Sequence, residues 1–225
     1  MEKGTDKNTA RSMEKYKAVR GQLDTGDVVV FNGSGVISSM IKWKDKTKWS
    51  HVGMVVKSVD WDMLLLFEST TLSKLKDVES RKESQGVQLV PLSERIRNYP
   101  DNRVRFRRLL RVDRDKGFTD IVKKFRSDMA GRPYEESKLE LLRSSCDDVF
   151  GDNEENLSSL FCSELIAEMY QRLGLLNDVD DKPKGLVSNE YTPKAFGGDK
   201  YELVYGSKSV MELNGSAELD ELILV

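Results

Sequence analysis

The sequence predicts an α+β fold built on one antiparallel sheet of about five strands, left open or rolled into a small barrel. Short β-branched runs bounded by turn residues fill the first half, apolar residues three and four apart dominate the second, and strands do not alternate with helices. A chain of 225 residues can bury its own core without disulfides or a structural metal.

Taken in order, "ARSMEKYKAVRGQ" (10–22) carries apolar groups at helical spacing and is expected to form a surface helix. "TGDVVVFNG" is the first strand, entered through a turn signal and stopped by glycine, and "GVISSMIKWK" is a short helix or loop. "SHVGMVVKSVDWDMLLLFEST" holds two apolar runs around a polar break, which suits a hairpin buried on both faces. "GVQLVPL" and "RVRFRRLLRV" add two strands, with "LSERIRNY" between them as a short helix. The helices "KGFTDIVKKFRSDMAG", "SKLELLRSS" and "SSLFCSELIAEMYQRLGLL" follow, and the acidic "CDDVFGDNEEN" is read as a loop before the last of them. No repeat or linker divides the chain. The expected organisation is a helical extension over 1–22, a main domain over 23–205, and a tail or last strand over 206–225.

Charge narrows the partners. Thirty-six Lys and Arg against 38 Asp and Glu leave no net field to draw nucleic acid. The amino terminus lacks the apolar core of a secretory signal and no stretch reaches the roughly 20 apolar residues of a membrane span, so a cytoplasmic protein is expected. In that compartment Cys146 and Cys162 would stay as thiols.

Common site motifs are missing: the sequence has no CxxC, HExxH, Walker A or GxSxG, and one histidine with two isolated cysteines cannot build a typical zinc site. No metal and no cofactor is therefore expected. What remains is Cys162 with His51, the single histidine. Read as first-turn in its helix, Cys162 would have a thiolate stabilised by the positive dipole end and free N–H groups. A neighbouring imidazole would take the thiol proton and return it to a leaving group. With the hairpin loop at Ser58 to Trp61, Lys57 opposes Asp62 and His51 stands directly opposite Glu68, which can then fix the ring tautomer. A contact displaced by two residues keeps the face, whereas an odd change separates the pair. Cys146 lies beside two acidic residues that disfavour a thiolate, which makes Cys162 the better nucleophile.

At these residues the chain resembles the permuted papain-like amidases of the NlpC superfamily, the YiiX-like branch, with lecithin:retinol acyltransferase a distant relative. "TGDVVVF", "WSHVGMVV", "FEST", "GRPYEES", "FCSEL" and "YTPKAF" carry the resemblance over roughly residues 23–197. The histidine strand precedes the cysteine helix, as in the permuted group. The resemblance implies a circularly permuted papain-like fold, Cys162 as nucleophile at the start of a late helix, His51 as general base and Glu68 as its orienting partner. It also matches Tyr134 to a family tyrosine that lines the pocket or donates to an oxyanion. The segment between Tyr134 and Cys162 departs from the family pattern.

The expected chemistry is acyl transfer or hydrolysis at an amide, ester or thioester of a small molecule, a lipid, a lipidated protein or an acyl-lysine. A second reading keeps the fold as an inactive binding or adaptor module. Arg103, Arg105 and Arg107 alternate with Val104 and Phe106, giving a basic stripe that is either a charged edge or solvated face, or a site for an anionic membrane surface.

Overall fold

The computed structural model describes residues 2–33, 47–58, 60–70, 75–83, 85–99, 103–132, 154–176, 191–198, 201–202, 208–209, 211, 213–221 and 223–224. Its centre is β1 (Val28–Phe31), a run of four apolar residues buried on both faces. Successive strand side chains point to opposite faces, so Val28 and Val30 enter one core while Val29 and Phe31 enter another. Such a strand needs covered neighbours on every side.

Those neighbours are supplied in chain order. The strands β2 (His51–Ser58), β3 (Met63–Thr70) and β4 (Gly86–Pro91) form an antiparallel meander on one side of β1. On the other side lie β5 (Val104–Arg107) and then β10 (Ile223–Leu224), so the six-stranded order is β10, β5, β1, β2, β3, β4. The sheet stays open, with β10 and β4 at its edges, and does not close into the barrel that was the sequence alternative. The architecture is α+β, with helices on both faces of the sheet. Two-residue ladders pair β6 (Leu109–Leu110) with β9 (Glu218–Leu219) and β7 (Tyr201–Glu202) with β8 (Lys208–Ser209).

The helices divide between the two faces. Helix α1 (Glu2–Val19) packs on α2 (Leu92–Arg97), and with Tyr16, Leu92 and Ile96 they cover the face of Val29, Val55, Leu66 and Phe106. Helix α3 (Lys116–Met129) is capped by Asp115, whose carboxylate accepts from the Phe118 N–H at 2.8 Å. It joins α4 (Glu154–Arg172) and α5 (Pro193–Phe196) over Val30, Met54 and Phe67. Each fully buried Val, Leu or Phe contributes about 1.5–3 kcal/mol relative to exposure, which makes this double core the main stabilising feature.

Two sequence expectations need correction. Ser58 pairs with Met63 and Lys57 with Leu64, so the hairpin turn sits one residue later than expected, with Asp62 in the left-handed region at φ 45°. The reason is that the apolar run begins at Met63 and draws it into the ladder. Helix α4 begins at Glu154, and Cys162 lies in its third turn rather than at its start. The stretch assigned to an acidic loop is helical from Glu154, because acidic residues complement the positive end of a helix and extend it.

The arginine stripe also takes a different place from an edge. Strand β5 is flanked by both β1 and β10. Arg107 donates to the carbonyls of Phe196 at 3.2 Å, Leu219 at 2.9 Å and Asp220 at 2.8 Å, tying α5 and the chain end to the sheet. The expected elements at "GVISSMIKWK" and "SKLELLRSS" lie outside the described residues.

Candidate active site

The start of β2 is held by a short set of local bonds. The Ser50 N–H donates to the Phe31 carbonyl at 2.9 Å, and the Ser50 hydroxyl accepts from the Gly33 N–H at 2.9 Å. His51 follows, paired with Phe31 across the β1 ladder and in ring contact with it at 5.4 Å between centroids. Gly53 continues the strand where a Cβ would come within 2.7 Å of Leu66 Cδ1 and 3.0 Å of the Phe67 carbonyl. Close strand approach beside the histidine depends on that glycine.

Glu68 comes from β3, where it is fully buried and faces Gln88 of β4 across the ladder. In the observed register the residue opposite His51 would be Thr70, and Glu68 is its diagonal neighbour. The two still share a face, and His51 Nε2 stands 2.7 Å from Glu68 Oε2. The other carboxylate oxygen, Oε1, accepts from Gln88 Nε2 at 3.0 Å, Arg95 Nε at 2.8 Å and Arg95 Nη2 at 2.5 Å. With Nε2 committed to Glu68, Nδ1 is the ring nitrogen left for the thiol, and the His51 side chain is hydrogen bonded to Cys162. The sequence reading thus brought together three residues that the structure also brings together.

Electrostatics act on the pair in opposite senses. Burial alone pushes His51 towards neutrality, but the negative charge that a Cys162 thiolate places beside it, their hydrogen bond, and the bond and charge of Glu68 outweigh burial and raise the imidazole to about 9. Burial pushes Glu68 upwards, and the Arg95 charge followed by the bond to His51 overcomes it and holds the carboxyl below its ordinary value. At neutral pH the geometry therefore favours an imidazolium held against a carboxylate.

Cys162 carries a fully buried thiol, not joined in a disulfide, within the larger core. In the third turn of α4 its N–H serves the helix ladder, and the positive helix end lies about 12 Å away at 1.5 Å per residue. The group in contact with its side chain is the His51 imidazole, through a hydrogen bond. Tyr134 and Cys146 lie outside the described residues.

Sequence reasoning missed Arg95 and Gln88. Both left a signal. Gln88 is the lone amide inside the apolar run "GVQLVPL", and Arg95 falls on the buried stripe that contains Leu92 and Ile96, three residues after the one and adjacent to the other. A charged residue on an apolar stripe needs a buried partner.

Among the described residues, no three His, Cys, Asp or Glu side chains gather as a metal site, and no helix is long and apolar enough to cross a membrane. No family model matches the sequence, and no curated protein matches it. Among solved structures, the chain has a distant likeness to the crystal structure of the metalloprotein YiiX from Escherichia coli O157:H7, with 17% identity, a TM-score of 0.45, and coverage of 89% of this chain and 98% of that one.

Proposed function

We propose that the chain is a cysteine-dependent hydrolase or acyltransferase of the permuted papain-like type, with Cys162 as nucleophile, His51 as general base and Glu68 as the group that orients the imidazole. The observation that carries this reading is the 2.7 Å His51–Glu68 contact on a ring that is also hydrogen bonded to Cys162.

In the reaction, the Cys162 proton already resides on His51 in a thiolate–imidazolium pair, and the thiolate attacks the carbonyl carbon of an amide, ester or thioester. The carbonyl π pair moves onto oxygen, giving a tetrahedral anion. Its collapse breaks the bond to the leaving group, which takes the proton from the His51 imidazolium, and an acyl-Cys162 thioester remains. His51 then removes a proton from water or from an acceptor amine or alcohol, which attacks the thioester and releases the thiol. Glu68 remains a carboxylate throughout and keeps Nε2 protonated. Tyr134 is the hydroxyl that the family pattern offers to the oxyanion. Substrates of the acyl-lipid, lipidated-protein or acyl-lysine class, in the cytoplasm, suit this chemistry.

The test is alkylation by iodoacetamide, a reagent small enough for a buried thiol, followed by intact mass across pH for wild type, Cys162→Ser and His51→Ala. Expected is one fast addition, lost in Cys162→Ser and slowed in His51→Ala, and, in protein that has not been alkylated, hydrolysis of acyl-thioester and acyl-amide probes that prior alkylation abolishes. Equal rates in wild type and His51→Ala would overturn the proposal.

A further inference from the structure

We propose that Arg95 is the positioning residue of this site: its guanidinium, with the Gln88 amide, holds Glu68 as a carboxylate and reserves one oxygen of it for His51. The inference rests on the reading of Cys162 and His51 as a catalytic pair and adds to it the device that fixes their third partner.

The argument begins with donor counting. Three N–H donors, two from Arg95 and one from Gln88, converge on Oε1 of Glu68, and the Oε2 contact is with His51 Nε2. A carboxylate with two equivalent oxygens can rotate and present either one. Loading three donors onto one oxygen removes that equivalence, so rotation about the last side-chain bond would break several bonds at once. Arg suits this role because its planar fork sends two N–H groups in fixed directions, which a lysine ammonium cannot do.

Charge supports the same assignment. Glu68 is fully covered and Arg95 is 2% exposed, so neither charge has water to fall back on. A buried carboxyl without a cation would keep its proton, and a protonated Glu68 would donate to the ring or turn from it instead of accepting from Nε2. The charged and titratable groups facing the Glu68–His51 pair, among the described residues, are Arg95 from α2 and Cys162 from α4. Strand β4 turns the neutral Gln88 amide to it and β1 the Phe31 ring. Arg95 is therefore the cation that answers Glu68 when His51 gives up its proton.

A purely structural ion pair makes a different forecast, and the single histidine makes the difference measurable. Its ring signals in a proton–nitrogen NMR spectrum can be titrated without overlap from any other histidine. In Arg95→Met, Glu68 is expected to take the proton before His51 does, so the His51 midpoint falls by at least about tenfold in proton affinity. Adding Arg95→Met to Glu68→Gln should produce no further fall. A bystander cation would act directly on the ring, and its removal would leave the midpoint unchanged or raise it; either result overturns the proposal.

Should Arg95→Met fail to fold by circular dichroism, Arg95→Lys decides. It keeps a charge but loses the fork, and the expected His51 midpoint and Cys162 alkylation rate lie between those of wild type and Glu68→Gln. Wild-type values for both would overturn the proposal. Wild-type alkylation at pH 7 separates the two readings. A Cys162 no faster than in His51→Ala, with the Arg95→Met midpoint falling, sinks the thiol enzyme and leaves the Arg95 assignment standing. A fast Cys162 with no fall sinks Arg95 alone.

Discussion

Glu68 meets His51 on the diagonal: its Oε2 lies 2.7 Å from the ring Nε2, although the β2–β3 ladder would put Thr70, not Glu68, opposite the histidine. Diagonal neighbours on a sheet face are about 7–8 Å apart at the backbone, within reach of a Glu and a His but not of shorter side chains. Glu68→Asp is therefore expected to lose the contact although it keeps the charge. Acyl transfer should fall by about 10²-fold or more, and the His51 midpoint should drop below about 9. Steady-state kinetics and a His51 NMR titration check both, and a midpoint unchanged from wild type would count against the diagonal contact.

A second expectation concerns pH and folding. Asp27 is buried, and burial raises its carboxyl to about 6 against the bonds from the Asp24 and Leu109 N–H groups and the Arg114 charge. A raised carboxyl is stabilising while protonated, so this contribution is present below about 3.8 and is lost as pH rises through about 6, a change of about 3 kcal/mol. His51 has the same sign at higher pH, its share fully present below about 6.5 and lost as pH rises through about 9. Glu68, held below its ordinary 4.5, works oppositely and loses its share as pH falls. Urea unfolding of wild type and Asp27→Asn from pH 4.5 to 6.5 should show the wild-type decline flattened in the variant. The slope is the readout, since the amide also disturbs the Asp24 N–H bond.

How much of this was legible depended on parity. Because side chains alternate with period two, shifting the turn by one residue along a hairpin moves the pairing by two and preserves the face, so His51 and Glu68 stayed together while the exact opposition failed. The strands at Val28, His51, Met63 and Gly86 were readable as short, mainly apolar runs with clear stops, and the strand at Val104 by its alternation of apolar residues with arginine. The start of α4 was not readable. The polar run Glu154 to Asn156 carries no apolar period, and a helix can run through it when its later turns, Leu165, Ile166, Met169 and Tyr170, are anchored in the core. Arg95 was missed because an arginine beside Glu94 and Arg97 reads as surface charge unless its helical face is counted.

Packing around Trp49 yields a third expectation. Trp49 precedes the histidine strand, is 1% exposed, and lies against Gly197 so closely that a Cβ there would overlap the indole ring. Gly197 has φ −73°, so alanine would suit its backbone and only the missing space opposes it. Gly197→Ala should therefore destabilise the fold by about 1–3 kcal/mol through overpacking. Thermal and urea unfolding measure this. A stability equal to wild type would mean that Trp49 can move, and the start of β2 with it.

The last expectation separates two sources of thiol activation. A cysteine in the first turn would owe its reactivity to the helix end, and reversing charge there would change it. Cys162 stands eight residues beyond Glu154, where the influence of the terminus has faded, and its hydrogen-bonded neighbour is His51. Glu154→Lys together with Glu155→Lys should therefore leave the pH profile of Cys162 alkylation where it is in wild type. His51→Gln, which keeps a hydrogen-bonding side chain but cannot carry the proton, should slow alkylation by about 10²-fold. If the lysine pair shifted the profile and His51→Gln did not, activation would belong to the helix end, and α4 would have to begin nearer the cysteine. Intact mass after timed iodoacetamide exposure distinguishes the two, since the reagent adds a fixed mass per thiol and Cys162→Ser identifies which thiol took it.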